Sequence, residues 1–405
     1  MVENLSHFWS WWKELQQFGV NADGSLTRLA FTEPDVLSRR WLATVWEQMG
    51  ARVTIDGVGN IIAQKGSPPF IVVSSHTDSV PQGGHYDGIL GVLAGTLLLE
   101  GWSSAECGLL VIDWSCEESS RFGVSTVGSR IACQETIPWD KQDLQGVSLQ
   151  QAATASFGGA MKRYWTLPID QVCAALELHM EQGSVLRDQG LPCAVVSAIA
   201  APQRCLLTIE GEANHSGSTA MADRHDAIAA AAVIVQSIEQ LSHQFEAQGL
   251  RATITRWDAS SGAANVIAYR TSLLLDIRAQ SPAALTTFFD GLTAVTQTLQ
   301  KHRGVSVTLH TYSQEQPAAL SASLSQILQE MMNQAGMKAP SIPSWPSHDS
   351  LVLARHVPTA MMFVRNVSAV SHQAREYCAP EDIALGLRLF KNSIDAICQD
   401  FGQRF

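Results

Sequence analysis

The sequence predicts an α/β fold: a mainly parallel sheet flanked by helices, with a smaller α+β domain inserted into the chain. Two observations support this prediction. Short β-rich runs ending in polar residues alternate with helical stretches over the first two hundred residues, a pattern typical of a parallel sheet covered by helices. With 405 residues, the chain is also too long for one compact core, so two domains are expected.

The predicted elements follow in chain order. Apolar residues recur at helical spacing near the N-terminus and predict an amphipathic first helix: Leu5, Phe8, Trp9, Trp12 and Leu15. The predicted strands of the first domain are FIVVSS, LLVIDW and VCAALELH, with the helix GILGVLAGTLLLE after the first of them. After about residue 321 the chain resumes this alternation with a helix near 322–335, the strand TAMMFV and a last helix from about 381.

The intervening segment has a different order of elements. Its predicted strands are RCLLTIEGEANH, RATITRW, TSLLLDIRA and GVSVTLHTY, and its helices are DRHDAIAAAAVIVQSIEQL and PAALTTFFDGLTAVTQTLQ. Two helices and about four strands fit a separate α+β layer. The predicted domains are therefore 1–202 with 321–405, and the insertion 203–320.

Charge and composition exclude several classes of partner. Lys and Arg number 27 against 38 Asp and Glu, for a net charge of −11, which argues against binding to nucleic acid or an anionic membrane. The N-terminus lacks the basic start and apolar core of a signal peptide, and no apolar run is long enough to span a bilayer. The eight Cys include no CxxC pair, which favours reduced thiols. We expect a soluble cytoplasmic protein whose partners are small molecules or other proteins.

Histidines and carboxylates follow the predicted strands, where α/β sheets bind their ligands, and one of them, Asp87, opens the next helix. They are His76, Asp78, Asp87, Glu117, Glu118, His179 and His372. Each has an ordinary structural explanation, such as a hydrogen-bonded His, a solvated turn of two Glu, or a helix cap at Asp87. Together they predict a site for zinc, manganese, cobalt or nickel, in which Asp87 could bridge two ions. Such ions make a water acidic enough to attack an amide, and a neighbouring carboxylate can move its proton.

Five segments carry a family resemblance: HTDSVPQGGHYDGILGVLAG, EESSRFGVSTVGSR, ELHMEQGSVL, GEANHSGSTAMADRHDA and SHQAREY followed by PEDIALG. In this order they resemble the amidase, hydantoinase and carbamoylase branch of the M20-type metallopeptidases, from about Thr27 to the C-terminus. The resemblance implies an M20-type catalytic domain with an inserted lid and dimerisation domain, two divalent ions per subunit, and a homodimer formed through the lid.

By position, the resemblance also assigns individual residues. The implied ligands are His76, Asp87, Glu118, His179 and His372, with Asp87 bridging, His76 and His372 on one ion, and Glu118 and His179 on the other. Glu117 matches the general base, and Asp78 the carboxylate that orients a ligand imidazole. Gln182, Asn265 and Arg278 match substrate-binding residues, with Arg278 on the substrate carboxylate, and His215 matches the group that stabilises the oxyanion. His348 aligns with a His of a His-Asp pair near the site.

The resemblance implies hydrolysis of an N-carbamoyl-L-amino acid to the amino acid, carbon dioxide and ammonia. Hydrolysis of allantoate or ureidoglycolate is the first alternative, and an N-acyl-amino-acid hydrolase or aminopeptidase is the second. Departures from the family pattern at Ala220 and in PSWPSHDS fall in loops expected to border the substrate, so these alternatives stay open. A metal-free binding or regulatory protein is the alternative from another class, and a lack of bound or activating metal would favour it.

Overall fold

The computed structural model of the protein describes residues 5–260, 262–315, 318–338 and 340–404. The helices are α1 (Leu5–Gln16), α2 (Glu33–Gln48), α3 (Ile89–Glu100), α4 (Val127–Ala132), α5 (Leu149–Phe157), α6 (Val185–Gln189), α7 (Ala227–Phe245), α8 (Pro282–Arg303), α9 (Ala322–Gln334), α10 (Asp349–Leu353) and α11 (Pro380–Arg404). The strands are β1 (Arg52–Ile55), β2 (Ile61–Lys65), β3 (Phe70–His76), β4 (Gly108–Trp114), β5 (Val172–Met180), β6 (Cys193–Ile199), β7 (Ala201–Glu210), β8 (Leu250–Ser260), β9 (Arg270–Ala279), β10 (Ser306–Gln314), β11 (Ala318–Ala319), β12 (Ser341–Ser344) and β13 (Thr359–Val364).

The chain forms two compact units, one of residues 1–198, 318–344 and 348–405 and one of residues 199–317 with 345–347. The sheet of the first unit has the order β1-β2-β4-β3-β5-β13-β6-β11, with β12 paired to β6. Its central strands β4, β3, β5 and β13 are parallel, and antiparallel pairs flank them. The predicted α/β class with a mainly parallel sheet is confirmed.

Both faces of this sheet are covered, as its sequence pattern requires. Every residue of β3, β4 and β5 is buried. Ile71 and Val73 pack in the core formed with α1, α2, α3, α9 and α11, while Val72 faces the opposite core with residues of α4 and α10. Parallel sheets buried on both sides need such continuous apolar strands. The polar residues that end these strands therefore mark where the chain leaves the core.

The second unit is an antiparallel sheet of order β10-β7-β9-β8 with α7 and α8 against one face. Along β9, buried and partly buried residues alternate, and Leu273, Leu275 and Ile277 belong to the core shared with the helices. Asp226 begins α7 because its carboxylate accepts the main-chain N–H of Ala229 at 3.0 Å. Residues of β9 in the alternate positions, Arg278 among them, therefore lie on the face that the helices leave open.

Two further expectations can be compared with the structure. All eight cysteines are unpaired and buried, which agrees with reduced thiols. Among the described residues, no helix combines the length and apolarity needed to cross a membrane.

Candidate metal centre

The predicted ligands of the first unit come together at the carboxyl ends of β3, β4 and β5. His76 ends β3, Glu117 and Glu118 follow β4, and His179 is the penultimate residue of β5. Asp87 lies two residues before α3. Gly88, between Asp87 and α3, has φ of +67°, and a Cβ there would come within 2.5 Å of the His76 ring. Glycine at this position therefore lets Asp87 and His76 approach each other closely.

His76, Asp87 and His179 form one set of candidate ligands, with ligand atoms all within 4.8 Å of one another. The Nε2 atom of His179 lies 3.1 Å from Oδ1 of Asp87, and Nε2 of His76 lies 3.8 Å from the same oxygen. Their rings are stacked with centroids 6.1 Å apart. One oxygen of Asp87 is thus directed at two imidazole nitrogens.

Asp87, Glu118 and His372 form the second set, again within 4.8 Å. Here Nε2 of His372 lies 3.1 Å from Oδ2 of Asp87 and 3.2 Å from Oε1 of Glu118. Asp87 belongs to both sets and turns one oxygen to each, as a bridging carboxylate must.

The expected pairing of His76 with His372, and of Glu118 with His179, is wrong in this structure. The strand order explains the difference. β3 and β5 are hydrogen-bonded neighbours, so their terminal histidines meet on one side of Asp87. The loop between β13 and α11 brings His372 to the other side, next to the loop that follows β4.

The two strand-end imidazoles are oriented as metal ligands need to be. Nδ1 of His76 bonds the main-chain oxygen of Asp78 at 2.9 Å, and Nδ1 of His179 bonds that of Met180 at 2.9 Å. A carbonyl only accepts hydrogen bonds, so each ring carries its proton on Nδ1. The Nε2 atom of each ring is then the one that faces the site, the arrangement that second-shell hydrogen bonds commonly impose on ligand histidines.

The carboxylate of Asp78 has a different role from the predicted one. Its Oδ1 atom is 3.8 Å from Nδ1 of His76, too far for a hydrogen bond. The carboxylate instead accepts two main-chain N–H groups, that of Glu117 at Oδ1 (3.2 Å) and that of Glu118 at Oδ2 (3.0 Å). The main chain of Asp78 thus orients the imidazole, while its side chain holds the backbone of the two adjacent glutamates.

A fully buried arginine lies beneath this carboxylate. Arg39 contacts Asp35 at 2.7 Å and Asp113 at 3.0 Å, lies 3.7 Å from Asp78, and donates to the main-chain oxygen of Trp114 at 2.9 Å. Burial raises the pKa of Asp78 to about 7, even though the charges of His76 and Arg39 oppose the shift. Buried ions need this degree of pairing to be tolerated. The network fixes the end of β4 from which Glu117 and Glu118 project.

Glu117 is placed to exchange a proton within the site. It is 6% exposed, and its Oε2 atom lies 3.8 Å from Nε2 of His76. Cys116 before it has φ of +54°, a strained conformation for a residue with a side chain and one that is frequent at functional sites. Burial raises the pKa of Glu117 well above its ordinary value, and the neighbouring charge of Glu118 adds to the shift. Bound cations would oppose this shift.

The charges of the site fit divalent cations. Burial alone would lower the pKa of His372, but hydrogen bonds to Asp87 and Glu118 raise it to about 11. Burial also opposes the shift at His179, yet Asp87 raises its pKa to about 9. The carboxylates of Asp87 and Glu118 therefore favour positive charge on the His179 and His372 rings. Two divalent ions would supply that charge in place of the ring protons. Imidazole and carboxylate donors together suit zinc and neighbouring transition metals.

Gln182, predicted to line the substrate pocket, lies against the shared carboxylate. Its Nε2 atom donates to Oδ2 of Asp87 at 2.9 Å and to Oγ of Ser371 at 3.2 Å, and lies 3.3 Å from Nε2 of His372. Its Oε1 atom is buried and has no hydrogen-bond partner among the described residues. The Gln182 amide thus connects Asp87 to the loop between β13 and α11 that carries His372, here called the His372 loop. Its Oε1 atom remains available as a hydrogen-bond acceptor.

The sequence profile of peptidase family M20/M25/M40 matches residues 72–396, which contain every residue of the candidate centre. The chain belongs to this family. It is 31% identical to an allantoate amidohydrolase of Bacillus subtilis over 386 residues, 92% of this chain and 93% of the relative. It is also 31% identical to an N-carbamoyl-L-amino acid amidohydrolase of Geobacillus stearothermophilus over 410 residues, 96% and 98% of the two chains.

A solved structure is similar over the same extent. The amidase of the hydantoinase/carbamoylase family from Burkholderia phymatum has a TM-score of 0.85 and 28% identity, covering 98% of both chains. The predicted membership of the M20 family and of its amidase branch is confirmed. The protein is accordingly a hydrolase that acts on amide C–N bonds.

Two further residues at the centre of this M20 protein were predicted only in part or not at all. His348 packs edge-on against His179 with ring centroids 4.5 Å apart, and its Nε2 atom bonds Ser344 at 2.8 Å. Burial lowers the pKa of His348 well below its ordinary value, and the neighbouring His179 adds to the effect. Glu376 was not predicted at all, although it lies in the same SHQAREY segment as His372. Its Oε1 atom accepts the main-chain N–H of Asp87 at 3.0 Å.

The remaining predicted residues belong to the second unit. His215 is exposed, and its Nδ1 atom accepts the main-chain N–H groups of Gly217 at 3.1 Å and Ser218 at 3.2 Å. The proton of a neutral ring must then be on Nε2, so His215 presents a hydrogen-bond donor to solvent. Asn265 is exposed on the adjoining segment, where its main-chain oxygen accepts from Ser216 at 2.8 Å. Arg278 is held through Nε by Asp276 at 2.8 Å.

The corrected pairing predicts which ion each ligand controls. Replacing His179 with Ala should weaken one ion, and replacing His372 with Ala should weaken the other, because the two histidines lie on opposite sides of Asp87. Combining both changes should lower the metal content further than either alone. Elemental analysis after dialysis at a fixed free metal concentration measures this. Equal metal content in the double variant and in both single variants would mean that the two histidines serve one ion.

Proposed function

We propose that the protein is a two-metal amidohydrolase that cleaves the carbamoyl C–N bond of N-carbamoyl-L-amino acids, giving the amino acid, carbon dioxide and ammonia. The observation that carries the proposal is the shared carboxylate of Asp87 between two ligand sets, with Glu117 beside them. The similarity to the Geobacillus stearothermophilus N-carbamoyl-L-amino acid amidohydrolase supports the choice of substrate.

The centre would hold one divalent ion with His76, Asp87 and His179 and the other with Asp87, Glu118 and His372. Ions bound there would lower the pKa of a water molecule and polarise the substrate carbonyl. Glu117 takes the proton of the attacking water and delivers it to the nitrogen that leaves. Its buried carboxylate suits both steps, because burial raises its pKa towards the working range of a general base and acid.

Residues of the second unit are proposed to hold the substrate. Arg278 receives the substrate carboxylate, because a guanidinium offers two parallel N–H groups to the two carboxylate oxygens. His215 donates from Nε2 to the oxyanion, in keeping with the two N–H groups that occupy its Nδ1 atom. Asn265 and Gln182 supply amide groups that complete the polar contacts.

Hydrolysis of allantoate is the second candidate function. The allantoate amidohydrolase of Bacillus subtilis is as similar to this chain, at 31% identity, as the carbamoylase relative. Allantoate and N-carbamoyl amino acids share a ureido group and a carboxylate, so one metal centre and one arginine can serve either. The two substrates differ in the other groups attached to the carbon that bears the carboxylate.

A substrate panel separates these functions. We expect the metal-reconstituted protein to release ammonia from N-carbamoyl-L-amino acids faster than from allantoate, ureidoglycolate, N-formyl and N-acetyl amino acids or dipeptides. N-carbamoyl-D-amino acids are the matched control and should react slowly. Ammonia and amine release are followed together. A clear preference for allantoate would establish the second candidate, and turnover of dipeptides alone would contradict both.

We further propose that the protein is a homodimer formed through the second unit and that His215 serves the metal centre of the partner subunit. Mixing an inactive Glu117→Gln chain with an inactive His215→Ala chain should then restore activity, since exchanged dimers contain one site with both groups intact. Subunit exchange is verified by mass after mixing tagged and untagged chains. No recovery in exchanged dimers would show that His215 acts within its own chain.

A further inference from the structure

Glu376 makes contacts that link two distant parts of the metal centre. It lies four residues after His372, between β13 and α11, and is 4% exposed. Its Oε1 atom accepts two main-chain N–H groups, from Tyr86 at 2.9 Å and from Asp87 at 3.0 Å. One carboxylate oxygen thus holds the backbone of a residue nearly three hundred positions earlier, the shared ligand Asp87.

The sequence around Asp87 accommodates this carboxylate closely. A Cβ added at Gly84 would lie 2.4 Å from both Cδ and Oε1 of Glu376 and 2.5 Å from its Cβ. Real Cβ contacts are not that short, so any other residue at this position would displace the carboxyl group. Gly84 therefore makes room for a side chain that comes from the other end of the chain.

Main-chain contacts close the base of the His372 loop (residues 365–379): Asn366 pairs with Cys378, and the N–H of Val367 donates to the main-chain oxygen of Tyr377 at 2.8 Å. Toward the metal centre, Oγ of Ser371 donates to Oδ2 of Asp87 at 3.3 Å, and Glu376 adds the contact to the Asp87 main chain.

The His372 side chain is 45% exposed, and its φ of +59° is strained for a residue with a Cβ. Asn366 secures the beginning of the loop, since its side chain donates to the main-chain oxygen of Val370 at 2.7 Å. Glu376 secures the end. By contrast, His76 and His179 sit on buried strands, and their Nδ1 atoms bond main-chain oxygens close by in sequence.

We propose that Glu376 is a positioning residue: it ties the His372 loop to the backbone of Asp87 and so sets the spacing of the ligands that bind the second ion. The proposal rests on the two-metal assignment made above. Removing the Glu376 side chain should weaken the site of Asp87, Glu118 and His372 selectively. Only that site takes ligands from both segments that Glu376 joins, the His372 loop and the backbone at Asp87. The site of His76, Asp87 and His179 keeps its strand-borne histidines.

The test is a metal titration of full-length protein without substrate. Metal is removed with a chelator, and Mn²⁺ or Zn²⁺ binding is then followed by calorimetry and by elemental analysis. Wild type should bind two ions. Glu376→Ala should bind the first with unchanged affinity and the second about 10- to 100-fold more weakly, the usual effect of losing an outer-shell partner. Glu376→Gln keeps an oxygen that accepts both N–H groups and should restore most of the second affinity. Glu381→Ala, an exposed glutamate nearby, is the matched control and should bind as wild type.

A second variant approaches the same contact from the opposite side. Gly84→Ala displaces the Glu376 carboxyl group and should reproduce the weakened second ion. If both changes act on one contact, the double variant should be no worse than Gly84→Ala alone. Gly84→Ala alone keeps the test decisive if Glu376→Ala folds poorly, because unchanged second-ion affinity in Gly84→Ala would also overturn the proposal. Unchanged second-ion affinity in Glu376→Ala, equal loss of both ions, or full additivity in the double variant would each overturn the proposal. A wild type that binds two ions but cleaves no ureido substrate would refute the proposed function alone, because this titration needs no substrate.

Discussion

Glu117→Gln should retain two bound ions and lose turnover by about 10²–10⁴-fold, the usual contribution of a general acid–base group. Glutamine matches the shape of glutamate but cannot take the proton of the attacking water. The main-chain N–H of residue 117 still bonds Asp78, so the loop that carries the ligand Glu118 should stay in place. The measurements are kcat with a ureido substrate and metal content by elemental analysis.

Glu118→Gln is the matched control for this change. It alters the adjacent residue in the same way but removes the charge of a candidate ligand that lies 3.2 Å from His372. We expect this variant to lose one ion as well as activity, whereas Glu117→Gln should lose activity alone. Activity within tenfold of wild type in Glu117→Gln would remove Glu117 from the proton-transfer step.

The pH profile offers a second measure of the same group. A general base acts only when deprotonated, so activity should fall as the pH drops through the pKa of Glu117. Burial and the charge of Glu118 raise that pKa, whereas bound ions oppose the rise, so the acid limb of kcat/KM reports the balance of these effects at Glu117. The residual activity of Glu117→Gln should lack this limb. An identical acid limb in both proteins would assign it to another group.

The rule that parallel strands present polar residues at one edge predicted that the side chains at the ends of β3, β4 and β5 would come together. It works here because β3, β4 and β5 are buried along their whole length, so His76 and Glu117 appear where the apolar runs stop. The rule does not give the order of strands in space. The chain runs β3, β4, β5, while the sheet runs β4-β3-β5, so the rule alone could not test the ligand pairing that the family resemblance implied.

The sequence also could not predict roles that depend on the direction of a side chain. Asp78 could orient His76 through either its carboxylate or its main-chain oxygen, and the structure uses the main chain. Gln182 contacts Asp87 and His372, which are far from it in sequence, and no local sequence pattern predicts such a contact. Glu376 carried one usable signal, its place four residues after a candidate ligand, but its partner lies at the other end of the chain.

Arg278→Lys should lower kcat/KM for carboxylate substrates by about ten- to over a hundred-fold, although the positive charge is kept. The ion pair between Nε of Arg278 and Asp276, at 2.8 Å, holds the guanidinium, and its terminal nitrogens form no hydrogen bond or ion pair with the described residues. Those two nitrogens form the planar fork that can bind both oxygens of a carboxylate, which a lysine ammonium cannot reproduce. The loss of one charge-assisted hydrogen bond costs about 1.5–3 kcal/mol, which corresponds to the expected range.

Arg204 provides a closely matched control. It lies opposite Asp276 on β7, pairs with the same carboxylate at 3.1 Å, and its side chain has the same 28% exposure as that of Arg278. Arg204→Lys makes the same chemical change within the same ion-pair network and should leave substrate selection unaltered. The substrates to compare are an N-carbamoyl-L-amino acid and its amide, which wild type should already process poorly. If Arg278 binds the carboxylate, Arg278→Lys should penalise the acid far more than the amide. An equal penalty for both substrates, or the same result with Arg204→Lys, would mean that Arg278 supports the sheet and does not contact the substrate.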